Sequence, residues 1–154
     1  MSSVTISRRG EDRARAGHPW IYRSDVAESS AAPGDLVQVV GARGRPIGHA
    51  LFSDRSEITL RMIEFGSAAP AGDFIRRRIA AAVAYRESLQ LDASAYRLVH
   101  GEADRLPSLI VDRYGDHLVV QALSQGIDRR LKEITAALAD IVRPAGILAR
   151  NDPR

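Results

Sequence analysis

Residues 35–63 read DLVQVVGARGRPIGHALFSDRSEITLRMI, and three short β-prone runs can be picked out of them: DLVQVV (35–40), GRPIGHALF (44–52) and EITLRMI (57–63). Gly-rich or polar turns separate the runs, and the third alternates Ile58, Leu60 and Met62 against Thr59, Arg61 and Ile63. Short strands joined by tight turns predict a compact β-rich barrel. The glycines of VGARGRPIG (40–48) lead into a strand and not into a helix N-terminus, so a β-turn explains them better than a phosphate-binding loop.

On the N-terminal side of these strands, GEDRARAG (10–17) has room for only a brief helix. Gly17 would end it in a left-handed conformation, and Pro19 would push His18 into an extended one. The single tryptophan, Trp20, is expected to fill the barrel core, since a small barrel needs one large side chain. If Trp20 and Tyr22 share an extended segment, they face the same side.

On the C-terminal side, GSAAPAG (66–72) carries neither charge nor periodicity, which is the signature of a connection between two units. After it, Asp73 is positioned as an N-cap, and Ile75, Ile79, Val83 and Leu89 fall near one helical face. Strand candidates follow at YRLVH (96–100), SLIVD (108–112) and HLVVQAL (117–123), the last two joined as a hairpin by a turn in which Gly115 can take a positive φ. One helix is expected through Ile127, Leu131, Ile134, Leu138 and Ile141, and AGILAR (145–150) offers a further strand. That strand leads straight into NDPR (151–154), which suggests a polypeptide whose natural continuation is missing.

The formal net charge is +3, and Lys132 is the only lysine among 22 basic residues. A coding bias toward Arg and Ala would produce this, and so would a phosphate-binding surface, because guanidinium groups bind phosphate through paired hydrogen bonds. Clustering has to decide. The chain has no cysteine, so these residues supply no disulfide, thiolate metal ligand or thiol nucleophile. No apolar run approaches the ~18 residues of a membrane span, and Arg8 and Arg9 are not followed by the apolar stretch of a signal peptide, so a cytoplasmic protein without a membrane partner is expected.

Sites of chemistry are sparse. His18, His49, His100 and His117 are far apart and lack metal-ligand spacing, and no P-loop, G-x-S-x-G elbow or post-strand G-x-G-x-x-G is present. Glu102, Asp104, Asp112 and Asp116 form the one acidic cluster, at a Gly-containing turn where carboxylates ordinarily bond to the backbone. Arg76, Arg77 and Arg78 spread around a helix and read as a solvated face. The N-terminal basic group is different: Arg8, Arg9, Arg13, Arg15, His18 and Arg23 are opposed only by Glu11 and Asp12 and are interleaved with Trp20 and Tyr22, a pattern suited to nucleic-acid phosphates and bases.

Three stretches, RAGHPWIYRSDV, PGDLVQVVGARGRPIGHALFSDRSEITLRMI and YRLVHGEADRLPSLIVDRYGDHLVVQALSQGID, occur in an order that resembles the N-terminal half of bacterial large-subunit rRNA methyltransferases of the PUA-domain class. These are similar to the enzyme that makes 5-methylcytosine in that rRNA. The resemblance implies an α+β chain: a PUA-type mixed pseudo-barrel over residues 1–68, used for RNA recognition, and a small central α/β domain over 72–154. It further implies that a class I, Rossmann-like domain with the S-adenosylmethionine site and a catalytic cysteine follows Arg154 and is absent from this chain. Where the family usually has glycines in its Gly-Glu-x-Asp-Gly-Leu-Pro-Gly turn, this sequence has Arg105 and Ser108, so the turn is not expected to depend on positive φ at both positions.

The resulting expectation is the RNA-binding and substrate-positioning part of an S-adenosylmethionine-dependent rRNA cytosine-C5 methyltransferase, inactive on its own. Arg8, Arg9, Arg13, Arg15, His18, Tyr22 and Arg23 are its candidate RNA contacts, and no catalytic, cofactor-binding or metal-binding residue is assigned. Large-subunit rRNA is the expected partner, with a homodimer as a further option. The alternatives are a stand-alone PUA-type RNA-binding module or ribosome assembly factor and, last, a hydrolytic site at Glu102, Asp104 and Asp112.

Overall fold

Val4 and Ile6 alternate with polar neighbours over only four residues, yet both are fully buried, because β1 (Ser3–Ile6) lies inside a sheet and not at its edge. The computed structural model describes residues 1–151, and the chain divides into two units. The first is Met1–Ala71 together with Ser124–Gly126. After β1 come α1 (Arg8–Arg15), β2 (Trp20–Tyr22), β3 (Val26–Ser29), β4 (Leu36–Val40), β5 (Pro46–Phe52) and β6 (Ile58–Phe65). They form one curled sheet in the order β2-β6-β5-β4-β1-β3, antiparallel except for the parallel pair β1 and β4. Val4, Ile6, Ile21, Val37, Val39, Ala50 and Leu60, none more than 0% exposed, are its core. The three anticipated strands are β4, β5 and β6, whereas β1 and β3 were not anticipated.

Helix α1 starts at Arg8 because the Ser7 hydroxyl accepts the Gly10 N–H at 3.2 Å, a serine N-cap. Its buried residues, Gly10 and Ala14, are small, which lets the helix lie close to the sheet. Gly17 takes φ +86° after the last turn, as read from sequence.

Two expectations for this unit are corrected. Trp20 is only half-buried, and the fully buried residue of β2 is Ile21, opposite Leu60; in a strand only one of two successive side chains faces the core. In β6, Thr59, Arg61 and Ile63 are buried along with Leu60 and Met62, so the alternation does not separate a wet face from a dry one. Arg61 tolerates burial because its Nη1 donates to the Ile58 carbonyl at 3.0 Å.

The second unit, Gly72–Leu123 with the residues from Ile127 onward, contains α2 (Phe74–Ser88), β7 (Ala95–His100), β8 (Leu109–Tyr114), β9 (His117–Ala122), α4 (Leu131–Val142) and β10 (Gly146–Ala149); the single turn α3 (Gln125–Asp128) before α4 gives its first two residues to the first unit. Its sheet runs β10-β9-β8-β7, an antiparallel meander to which β10 adds in parallel. Gly115, at φ +61°, and Asp116 make the two-residue turn of the β8–β9 hairpin. Asp152–Arg154, most of the NDPR segment, lie outside the described residues. No helix among the described residues is long and apolar enough to cross a membrane.

Ile75, Ile79 and Val83 face inward as their spacing predicts, but α2 stops at Ser88 and Leu89 is 46% exposed. Asp73 occupies the N-cap position without capping, since its backbone is not extended and its carboxylate instead accepts Arg77 Nε at 2.8 Å. The three consecutive arginines do not form one solvated face. Arg76 pairs with Asp140 and Arg77 with Asp73, but Arg78 shares the inward stripe of Phe74 and Ala82 and is buried. Its Nη1 donates to the Arg105 carbonyl at 2.7 Å, and its guanidinium lies 5.2 Å from the Phe74 ring centre. The single helix expected over 127–141 breaks at Arg129 and Arg130 into α3 and α4, while Ile127, Ile134 and Leu138 remain fully buried.

The turn after β7 overturns the expectation about its backbone: Arg105 has φ +58° and Ser108 φ +63°, so both adopt the left-handed conformation without being glycine. The Arg105 and Leu106 N–H groups close the turn on the carbonyls of Glu102 and Gly101, each at 3.0 Å, which holds Arg105 in this strained region. Arg105→Gly relieves the strain and keeps the main-chain carbonyl that receives Arg78. The substitution is therefore expected to raise stability by about 0.5–1 kcal/mol, after the entropy glycine adds to the unfolded chain. Urea unfolding of the two proteins checks it.

Candidate nucleic-acid interface

Two of the N-terminal arginines, Arg9 and Arg13, converge on a carboxylate. Asp25, in the short 3-10 turn Arg23–Asp25 that links β2 to β3, is 1% exposed. Its Oδ1 accepts Ser7 Oγ at 2.9 Å and Arg9 Nε at 2.7 Å, and its Oδ2 lies 3.5 Å from Arg13 Nη1. Burial alone would raise its pKa, but the hydrogen bonds from Arg9 and Ser7 and the charges of Arg9 and Arg13 outweigh burial and hold it below the usual carboxylate range. Asp25 thus stays ionised and aims two arginines. Arg13 also lies 5.1 Å over the Tyr22 ring, an exposed cation–π contact.

His18 completes an aromatic cluster. Its Nδ1 accepts the Trp20 N–H at 3.2 Å, and its ring sits edge-on to Trp20 at 6.1 Å and tilted to Tyr22 at 6.4 Å. The other candidates are placed apart from this knot. Arg15 is held by Glu11 Oε1 through Nε at 2.9 Å and Nη2 at 2.8 Å. Arg23 turns to the 54–57 loop, where Nη2 donates to the Asp54 carbonyl at 3.0 Å and Nε lies 3.8 Å from Glu57. Arg8 is exposed and makes no hydrogen bond or ion pair among the described residues.

Sequence reasoning missed Asp25 and also Arg43 and Arg45. Both arginines are exposed on the β4–β5 hairpin, and their guanidinium groups, like that of Arg8, have no partner among the described residues. They sit in the segment read as a β-turn, and the Gly44 N–H does close that turn on the Gly41 carbonyl at 2.9 Å. Exposed arginines on a rigid turn are the signal that reading left unused. Beside the hairpin, Arg15, Gly17, Pro46 and Phe65 line a groove of about 270 Å³, with Phe65 48% exposed.

Three carboxylates of the second unit's acidic cluster have basic partners. Asp104 is gripped by Arg86, Asp112 by Arg97, and Asp116 lies 2.7 Å from His117 Nδ1. For Asp104, burial would raise the pKa, but hydrogen bonds from Arg86 and the His100 N–H, with the charges of Arg86 and His100, lower it. Asp104, kept ionised and bound by Arg86, has no proton to donate as a general acid, and Arg97 holds Asp112 in the same way, so the ion pairs account for these carboxylates without a hydrolytic role. Among the described residues no group of three His, Asp or Glu is placed to hold a metal ion.

The curled sheet and arginine-bearing edge belong to a recognisable class: residues 4–65 match the PUA-like domain family. Nearly the whole chain is related to proteins named ribosomal RNA large subunit methyltransferase I. It is 35% identical to that of Tolumonas auensis, over 98% of this chain and 39% of the relative, and 39% identical to that of Shewanella amazonensis, over 88% and 35%. Residues 4–65 thus carry a PUA-like domain, and the chain is similar to these rRNA methyltransferases while spanning about two-fifths of their length. A structure from Streptococcus mutans described as a SAM-dependent methyltransferase shares the fold, with a TM-score of 0.85 at 16% identity over 98% of this chain and 41% of that one. A second methyltransferase structure, complexed with SAH, gives 0.86 at 16% identity, over 98% and 40%.

Proposed function

We propose that this chain binds large-subunit rRNA and positions it for S-adenosylmethionine-dependent methylation at cytosine C5. The RNA lies on the edge made by Arg8, Arg9, Arg13, Arg15, His18, Tyr22 and Arg23, extended by the hairpin arginines Arg43 and Arg45. Residues 1–68 are the recognition domain, and 72–154 are the central domain that leads toward the catalytic one. The observation that carries the reading is the set Arg8, Arg43 and Arg45 on the PUA-like domain, exposed cations without an internal partner. Arg9 and Arg13 serve it differently, held by Asp25 so that they present their remaining N–H groups in a fixed direction.

The described residues do not fit S-adenosylmethionine. Ser124–Gly126, the segment after β9 where a strand-to-helix cofactor loop would lie, groups with the first unit, and a Cβ on Gly126 would sit 2.7 Å from Leu51 Cβ. That space is filled by protein. C5 methylation needs a thiolate to add at cytosine C6, which these 154 residues do not supply, and this supports a role in binding and orientation.

Fluorescence anisotropy with a labelled large-subunit rRNA fragment, titrated at several salt concentrations, tests the reading. Binding should fall steeply with salt, and each of Arg8→Ala, Arg43→Ala and Arg45→Ala should lower the slope of log K against log salt by about 0.7–0.9. Absence of binding at low salt, or a slope untouched by all three changes, would sink it.

A further inference from the structure

Two adjoining depressions of the second unit, of about 640 and 460 Å³, share Arg86 of α2, Tyr96 of the edge strand β7 and Arg113 of β8. The larger is also lined by Arg97, His100 and Tyr114. Guanidinium groups beside aromatic rings are what single-stranded nucleic acid uses, the cations meeting phosphate and the rings stacking on bases of any identity.

The residues divide into those that hold the depression and those left open to a ligand. Arg86 grips Asp104 through Nη1 at 2.5 Å and Nη2 at 2.8 Å, both side chains nearly buried, which fixes the floor. Arg97 neutralises Asp112, the carboxylate lining the larger depression, with contacts of 2.8 and 3.3 Å. The Arg113 side chain makes one hydrogen bond among the described residues, from Nε to the Gly115 carbonyl at 2.8 Å. Its two terminal amino groups are left unengaged on an oriented guanidinium. Tyr114, at the end of β8, is 56% exposed; of its two cross-strand neighbours Ala95 is too small to cover the ring, and His117 on the other side leaves more than half of it open. Glu87, on the smaller depression, is the carboxylate there that makes no ion pair among the described residues, and it weights anion binding toward the Tyr114 end.

We propose that this paired depression is a second contact for single-stranded RNA, with a base stacked on Tyr114 and its phosphate on Arg113. The proposal rests on the RNA-binding reading above and places part of the RNA on the second unit.

The test uses the full chain, a fluorescein-labelled oligouridylate and, separately, the rRNA fragment, with thermal unfolding to verify that each variant is folded. Tyr114→Ala should weaken oligouridylate binding about tenfold, and Tyr114→Phe, which keeps the ring, should stay within about twofold of the unchanged chain. Arg113→Ala should lower the salt slope by about 0.7. If both RNAs bind and neither Tyr114→Ala nor Arg113→Ala alters the oligouridylate, the second contact is overturned while the first reading stands. The same holds if only the rRNA fragment binds. If neither RNA binds the unchanged chain at low salt, both readings fall together.

Discussion

Asp104→Ala is expected to destabilise the second unit by about 3–5 kcal/mol, as much as truncating a fully buried core residue. The Asp104 and Arg86 side chains are 9% and 11% exposed and meet through two parallel hydrogen bonds, while the second carboxylate oxygen also accepts the His100 N–H at 2.6 Å. Truncating the acid leaves a nearly buried guanidinium and a backbone donor without partners, and the penalty comes from those orphans more than from the lost attraction. The double replacement Arg86→Met with Asp104→Leu removes both charges and should recover part of the loss, which urea unfolding of the single and double variants will read. The pH dependence follows from the lowered pKa of Asp104. Its contribution is complete above the unfolded-state value near 4 and is lost as the pH falls through the still lower folded-state value, so acid below about pH 4 should weaken the native protein more than it weakens the double variant.

For the first unit, Asp25→Ala is expected to cost about 2–3 kcal/mol. The figure is lower than for Asp104 because Arg9 and Arg13 are 62% and 41% exposed and regain water when released. What cannot be recovered is the hydrogen bond to Ser7, whose hydroxyl also caps α1. The same substitution frees the two arginines to reorient, so RNA affinity should fall modestly with little change in salt slope, unlike the loss of an arginine itself. Thermal unfolding and anisotropy on one preparation separate the two effects.

Much of the fold was legible because it is local. The runs at 35–40, 44–52 and 57–63 became β4, β5 and β6, and the hairpin at Gly115 and the inward stripe of Ile75, Ile79 and Val83 were readable from spacing alone. The missed elements depend on distant partners. β1 is four residues long and exists by pairing with β3 on one side and β4 on the other, and no pattern within four residues encodes that. Trp20 misled because size was taken as a guide to depth, although Ile21 beside it had the better claim on the core. The break at Arg129 and Arg130 lies inside a regular apolar spacing that one helix would also satisfy. At the interface, the density of arginines was visible and their restraint was not: Asp25 looked like one acid among many until burial showed it to be the hub. Arg105 and Ser108 show that a turn held by main-chain hydrogen bonds can keep a glycine's conformation without the glycine.

Ser124–Gly126 belongs with the first unit although it follows β9 in sequence. Gln125 Oε1 accepts the Ser53 hydroxyl at 2.8 Å and the Asp54 N–H at 3.1 Å, and Gly126 lies against Leu51, itself 2% exposed. On a translating ribosome the barrel strands emerge early, but these groups stay unsatisfied until the chain has grown past residue 126. The first unit is thereby finished late, and a gene cut cleanly at the linker would yield a barrel with a wet seam at Leu51 and Ser53.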